Sequence, residues 1–154
     1  MTDANQSARK SNPFQPISAA VLEELKAVLG ENCLFTDTDI LREHGHDETE
    51  DLLFIPQAVA EPADTEQVSA LMRICNDHRI PVTVRGAGSG LAGGALPVYG
   101  GLVISMKRFD KILKIDRRNF QVTVEPGVIT EILQNTLREE GLFYPPDPAS
   151  RGWS

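Results

Sequence analysis

At 154 residues the chain has about the length of one domain, long enough to enclose a core, and its 41% hydrophobic and 24% charged residues form no repeat or low-complexity tract. The net charge of −7 is uneven, −10 over residues 1–66 and +3 over residues 67–154, and such an excess of acid excludes a non-specific nucleic-acid binder. No apolar run approaches the ~18 residues of a membrane span, and the N-terminus lacks the basic-then-apolar pattern of a secretory signal. Cys33 and Cys75 form no CxxC and read as free thiols, so the expected compartment is the cytoplasm.

Residues 1–17 are polar, with Pro13 and Pro16 among them, and read as a disordered tail. Ser18 then caps a helix from Ala19 to Leu29, with Val21, Leu22, Leu25, Val28 and Leu29 on one stripe and Gly30 as its stop. A short second helix is expected over Asp37 to Glu43. His44 to Asp51 is acidic and reads as a solvated loop. His44 and His46 can share one face with Asp47 or Glu48 as oxygen ligands, but no second ligand cluster accompanies them, and no metal site is assigned.

Leu52 to Ala60 reads as a strand interrupted by Pro56 and therefore close to an edge. Asp64 or Thr65 begins a helix on which Val68, Leu71, Met72 and Cys75 recur at helical spacing, ending about His78. Ile80 to Arg85 is the next strand. A strand–helix–strand unit of this length implies parallel pairing, so this part of the chain is α/β.

The second strand runs into a glycine loop, Arg85-Gly86-Ala87-Gly88-Ser89-Gly90 and then Gly93-Gly94. So much glycine is entropically costly, and it points to positive φ angles and to a ligand that approaches the backbone closely. A concave run of N–H groups suits a phosphate or a diphosphate. Gly88-x-Gly90-x-x-Gly93 fits the dinucleotide fingerprint, but Gly94-Ala95-Leu96-Pro97 and Gly100-Gly101 forbid the helix that fingerprint must open. A Walker loop fails as well, because no lysine follows Gly93.

Leu102 to Ser105 is a short apolar strand, and Met106 to Phe109 a turn. Ile112 to Asp116 and Phe120 to Glu125 flank Arg117-Arg118-Asn119 as an antiparallel hairpin. The bases between Lys107 and Arg118 read as a solvated face that can also steer an acidic partner. Thr130 caps a helix from Glu131 to Glu140, with Ile132, Leu133, Thr136 and Leu137 inward and Gly141 at its end. Pro145, Pro146 and Pro148 then stiffen an extended exit, which suits either a wall along a planar ring or a rigid loop.

Val84-Arg85-Gly86-Ala87-Gly88-Ser89-Gly90, Gly93-Gly94, Glu125-Pro126-Gly127-Val128 and Tyr144-Pro145-Pro146-Asp147-Pro148 together resemble the flavin domain of the vanillyl-alcohol oxidase / p-cresol methylhydroxylase (PCMH-type) family, and within it the FAD-linked glycolate and D-lactate dehydrogenases. The likeness covers roughly residues 50 to 150. It implies an α/β (α+β) fold, a small parallel sheet with helices followed by the start of an antiparallel sheet. The first subdomain would span residues 18–107, and a second would begin over residues 108–154.

The resemblance also implies FAD, with its pyrophosphate on the loop. Arg85, Gly86, Ala87, Gly88, Ser89 and Gly90 would offer backbone N–H donors, and Gly93 and Gly94 would turn the loop back. Pro126, Gly127 and Val128 would pass beside the cofactor. Tyr144, Pro146, Asp147, Pro148 and Ser150 would lie along the flavin or its ribityl chain. Arg85 can equally be a structural partner for Asp110 or Glu125. Members that attach flavin covalently through this loop carry a histidine where Ser89 stands, so non-covalent FAD is expected. The implied enzyme is a 2-hydroxy-acid dehydrogenase taking glycolate or D-lactate, with substrate handled by a later cap domain and with companion oxidase subunits as partners. No catalytic residue is assignable, and the chain reads as the first part of a longer enzyme, inactive alone. A homodimer through the unfinished apolar face is expected. The competing reading is a non-catalytic module that binds a nucleotide or a protein with the same fold.

Overall fold

A computed structural model describes residues 13–153. Of the tail expected over residues 1–17, residues 1–12 lie outside the described residues. Residues 13–17 touch the body: the Gln15 N–H donates to the Arg79 carbonyl (2.9 Å), the Ile17 N–H to Gln57 Oε1 (3.0 Å), and Phe14 packs on Tyr99 with ring centres 5.2 Å apart.

Helix α1 (Ala19–Leu29) starts where Ser18 Oγ accepts from the Val21 N–H (3.3 Å) and ends at Gly30, whose φ of 80° only glycine adopts freely. Its Val21, Leu25 and Leu29 are buried, with Leu22 and Val28 at the margin of the core. Strand β1 (Leu34–Phe35) and helix α2 (Thr38–Glu43) follow. Helix α3 (Thr65–Asp77) takes Asp64 as its cap: Asp64 Oδ1 accepts from the Gln67 N–H (2.8 Å), while Gln67 Oε1 accepts from the Ala63 N–H (2.7 Å). Leu71 and Cys75 form its buried stripe. Met72, expected inward, is 44% exposed, because the stripe that meets the sheet runs through 71 and 75 and leaves 72 on its flank.

Strands β2 (Ala58–Ala60), β3 (Val82–Arg85) and β4 (Leu102–Ser105) join β1 in a sheet ordered β1-β2-β4-β3. β4 pairs parallel with both β2 and β3, and β1 runs antiparallel to β2. The parallel pairing inferred around α3 is present, but β4 is inserted between β2 and β3. The strand expected from Leu52 narrows to Ala58–Ala60 and is central and fully buried. Pro56, with no N–H to give a ladder, is buried just ahead of the pairing, which the Gln57 N–H opens by donating to the Gly101 carbonyl (2.8 Å). At Gly101 (φ +71°) any Cβ would overlap the Pro81 carbonyl, so the starts of β3 and β4 can touch only through glycine.

Strands β5 (Ile112–Asp116) and β6 (Gln121–Val124) form a separate antiparallel pair, irregular between Ile112 and Lys114. Asp116 closes its turn by accepting from the Asn119 N–H and from Asn119 Nδ2, both at 3.1 Å. Helix α4 (Thr130–Glu139) begins at Thr130 with Ile129 in the cap position, one step before the cap the sequence suggests. Its first turn is served by the Arg151 carbonyl, which accepts from the Glu131 N–H (2.9 Å). Leu133 and Leu137 are buried; Ile132, expected inward, is 54% exposed. Among the described residues no helix is long and apolar enough to cross a membrane, and no three His, Cys, Asp or Glu side chains gather to hold a metal ion.

Candidate functional site

The glycine loop leaves β3 at Arg85, in register with Ser105 of β4, and the Met106 N–H donates to the Arg85 carbonyl (2.9 Å). Parallel sheets bind ligands at the carboxyl ends of their strands, and this is such an end. Gly88 takes φ +76° and Gly93 φ +70°, conformations that a side chain would strain. Among the described residues no group accepts from the N–H donors of Gly86, Ala87, Gly88, Ser89 or Gly90.

Gly86 and Ala87 face Pro126, Gly127 and Val128 across a cleft of about 260 Å³. Gly127 makes that approach possible: its N–H donates to the Phe109 carbonyl (2.8 Å), and a Cβ there would stand 2.9 Å from the same oxygen and would overlap the Met106 carbonyl. The structure therefore brings the glycine loop and the Pro126–Val128 turn together. Lys107, Asp110, Ile129, Ile132 and Trp153 also line this cleft, and the sequence had singled out none of them for it. Lys107 was legible only as one base of a charged run. Its ammonium is held by Glu61 (2.5 Å), whose side chain is buried beneath it.

The proline segment stands apart. Tyr144, Pro145 and Asp147 line a second hollow of about 210 Å³ beside Gln134 and Arg138. Gln134 Nε2 donates to the Pro146 carbonyl (2.6 Å), Arg151 Nη1 pairs with Asp147 Oδ1 (2.9 Å), and the Pro148 and Ser150 carbonyls accept from the N–H groups of Arg151 (3.0 Å) and Trp153 (2.9 Å). Tyr144, Pro146, Asp147, Pro148 and Ser150 therefore share a stretch but not the glycine-loop cleft. Gly90 and Gly94 are exposed at the loop's far side, where Gly94 has open space for a Cβ.

Arg85 is neither a partner of Asp110 or Glu125 nor directed at the cleft. Its side chain is buried beneath the loop, where a Gly88 Cβ would overlap the guanidinium, and it donates to the His46 carbonyl. Glu125 Oε2 is occupied by the Lys111 N–H (2.9 Å). Burial lowers the Arg85 pKa, and the charges of Asp47 and Glu43 act against that fall, so the group stays a cation at neutral pH.

The loop expected to be solvated over His44–Asp51 is partly buried instead. His44 packs inside with its Nδ1 2.9 Å from the Ile40 carbonyl, and Asp47 is 6% exposed. Burial alone would raise the Asp47 pKa, but the Thr49 backbone and hydroxyl, the Ala95 backbone and the Arg85 charge outweigh it and hold the carboxyl below its usual range.

Comparison with known proteins decides the assignment, since the profile of the FAD binding domain matches residues 56–154. The chain belongs to the FAD binding domain family. It is 42% identical over 136 residues to the glycolate oxidase subunit GlcD of Bacillus subtilis, covering 87% of this chain and 28% of that protein. It is 34% identical over 143 residues to the D-lactate dehydrogenase of Anaerostipes hadrus, covering 90% of this chain and 29% of that one. The chain thus spans less than a third of the length of these relatives. Among solved structures, p-cresol methylhydroxylase with substrate bound superposes with a TM-score of 0.72 at 28% identity, over 80% of this chain and 25% of that one. Alkyldihydroxyacetonephosphate synthase superposes with a TM-score of 0.79 over 93% of this chain and 31% of that one, and at 23% identity it shares the fold. The PCMH-type fold expected from the motifs is therefore the fold present, in a family of FAD-dependent oxidoreductases. The donor set suits the family's cofactor: five N–H groups without acceptors, on a loop where Gly88 has no room for a Cβ and facing a turn where Gly127 has none, fit a diphosphate.

Proposed function

We propose that this chain supplies the non-covalent FAD site of a dehydrogenase acting on a 2-hydroxy acid of the glycolate or D-lactate class. The observation that carries the reading is the row of N–H groups from Gly86 to Ser89, lacking acceptors, at the mouth of the cleft shared with Pro126–Val128. The N–H row would receive the diphosphate, and Pro126, Gly127 and Val128 would wall the opposite side of the cleft. Tyr144, Pro146, Asp147, Pro148 and Ser150 would form the stretch that lies along the flavin or its ribityl chain. Bound there, FAD would supply the two-electron acceptor for oxidation of the substrate's hydroxyl-bearing carbon, with the hydroxyl proton leaving to a base or solvent. Ser89 offers no imidazole for a covalent link, so the cofactor is exchangeable.

The names of the relatives support the substrate class, and their greater length supports placing substrate recognition outside these residues. The relative named as a glycolate oxidase subunit supports companion subunits. A cytoplasmic setting agrees with the free thiols of Cys33 and Cys75.

Purification with excess FAD, followed by gel filtration and absorption spectroscopy, tests the site. A flavin spectrum in the protein peak, released into the supernatant by acid, is the expected result. A colourless peak would defeat the claim that this chain holds FAD by itself, and flavin retained in the acid precipitate would defeat the non-covalent assignment.

A further inference from the structure

Residues 45–49 touch the glycine loop at three separate points. The Glu48 N–H donates to the Gly90 carbonyl (3.1 Å), Thr49 Oγ1 accepts from the Gly93 N–H (2.9 Å), and Arg85, at the loop's root, donates to the His46 carbonyl. Start, middle and end of the loop are thus tied to one short segment. That segment precedes the stretch matched to the FAD binding domain, residues 56–154.

We propose that residues 45–49 form a strap that sets the shape of the glycine loop for its diphosphate guest, with Asp47 as the positioning residue. Asp47 Oδ1 accepts from the Thr49 N–H (2.9 Å), which fixes the hydroxyl that receives Gly93. Its Oδ2 is buried without a hydrogen-bond partner, 4.0 Å from where a Gly90 Cβ would stand. A carboxylate left half-satisfied in the interior is costly to keep. The cost is offset by the Thr49 and Ala95 backbones, the Thr49 hydroxyl and the Arg85 charge, which favour the anion, and the Arg85 guanidinium in turn fills the space under Gly88 and so holds the loop at its positive φ. Asp47 does not touch the cofactor in this scheme. It acts through Thr49 and Arg85 on the N–H row from Gly86 to Gly90. Glycine needs such support, because a run of it has little conformational preference of its own.

The inference rests on the reading of the loop as a flavin diphosphate site, and its test separates the two. Amide hydrogen exchange of the Gly93 and Glu48 N–H groups in the FAD-free chain reports the strap's hold on the loop directly, and FAD titration reports its consequence. Asp47→Asn and Thr49→Val should speed exchange of the Gly93 and Glu48 N–H groups, the amides that tie strap to loop, by about tenfold or more and weaken FAD binding by a similar factor, the scale of a lost charge-assisted hydrogen bond. Exchange in β2 and β4 should stay unchanged. Thr49→Ser, which keeps the hydroxyl, should restore both values. Wild-type loop exchange in Asp47→Asn would overturn the strap, as would faster exchange spread equally over β2 and β4, or a loosened loop with undiminished FAD affinity. Should the wild-type chain take up no FAD, the binding reading fails alone, and the exchange pattern still decides the strap.

Discussion

The sheet β1-β2-β4-β3 and the hairpin β5-β6 occupy the two halves of one short chain, yet they are finished to different degrees. Every residue of β2 and β4 is buried, and α1 and α3 pack on that sheet through Leu25, Leu29, Leu71 and Cys75. No residue of β5 or β6 is fully buried, and within α4 only Leu133 and Leu137 are. A cavity of about 620 Å³ opens between Phe120–Thr123, Leu137 and Gly141–Tyr144. The first half has the closed core of a folding unit; the second carries apolar surface in want of a cover. The proposed FAD cleft lies where the two meet, so the finished half supplies the rigid loop and the open half supplies the opposing wall.

Core truncation should expose that asymmetry most strongly. Leu71→Ala removes a side chain with no exposure from the first half, and urea midpoints should report a loss of about 2–5 kcal/mol. Leu137→Ala, beside the open cavity, should cost about half of that or less, because water and mobile neighbours can fill the space. Equal losses would mean that the second half is as tightly closed as the first.

Much of the finished half was legible in the sequence, for reasons these residues make plain. Ser18 and Asp64 announce helices through local capping chemistry, and apolar spacing then places Leu25 and Leu71 inward. The glycine loop was legible because glycine at that density has few other uses. What escaped depends on contacts distant in sequence. The pairing of β4 with β3 depends on the close approach of Gly101 to Pro81, and the seating of the His46 backbone on Arg85, whose guanidinium reaches that carbonyl 39 residues away. The start of α4 depends on the Arg151 carbonyl beyond its far end. Each of these is a tertiary decision that no local pattern records.

The pH response should differ between the halves in size but not in sign. The pKa of Asp47 is lowered in the fold although its burial alone would raise it, because Thr49, Ala95 and Arg85 favour the anion. Asp116 is lowered chiefly by the Asn119 side chain, at an exposed turn where water screens the effect. A carboxylate with a depressed folded pKa contributes stability that is complete above the ordinary aspartate value of about 3.9 and fades as pH falls through the folded value. Stability measured against pH should therefore show the wild type losing its advantage over Asp47→Asn as pH drops below about 4. Asp116→Asn should show the same trend with a smaller span. An advantage over Asp47→Asn that stayed constant to low pH would mean that Asp47 acts through shape and not charge.

The smallest effect on stability should come from the surface the open half presents. Phe120 and Phe143 are 83% and 82% exposed and flank the 620 Å³ cavity. Exposed side chains contribute little to folding, so Phe120→Ser with Phe143→Ser should shift the free energy of unfolding by no more than about 0.5 kcal/mol for each change. The same pair should have a large effect on self-association, because two exposed phenyl rings at the rim of one apolar cavity are what a second copy would cover. Sedimentation of the wild type should show a concentration-dependent dimer or larger species, and the double variant should run as a monomer. A wild type that stays monomeric at high concentration would remove the case for a homodimer through this face, and an unchanged dimer in the variant would move the interface elsewhere on the chain.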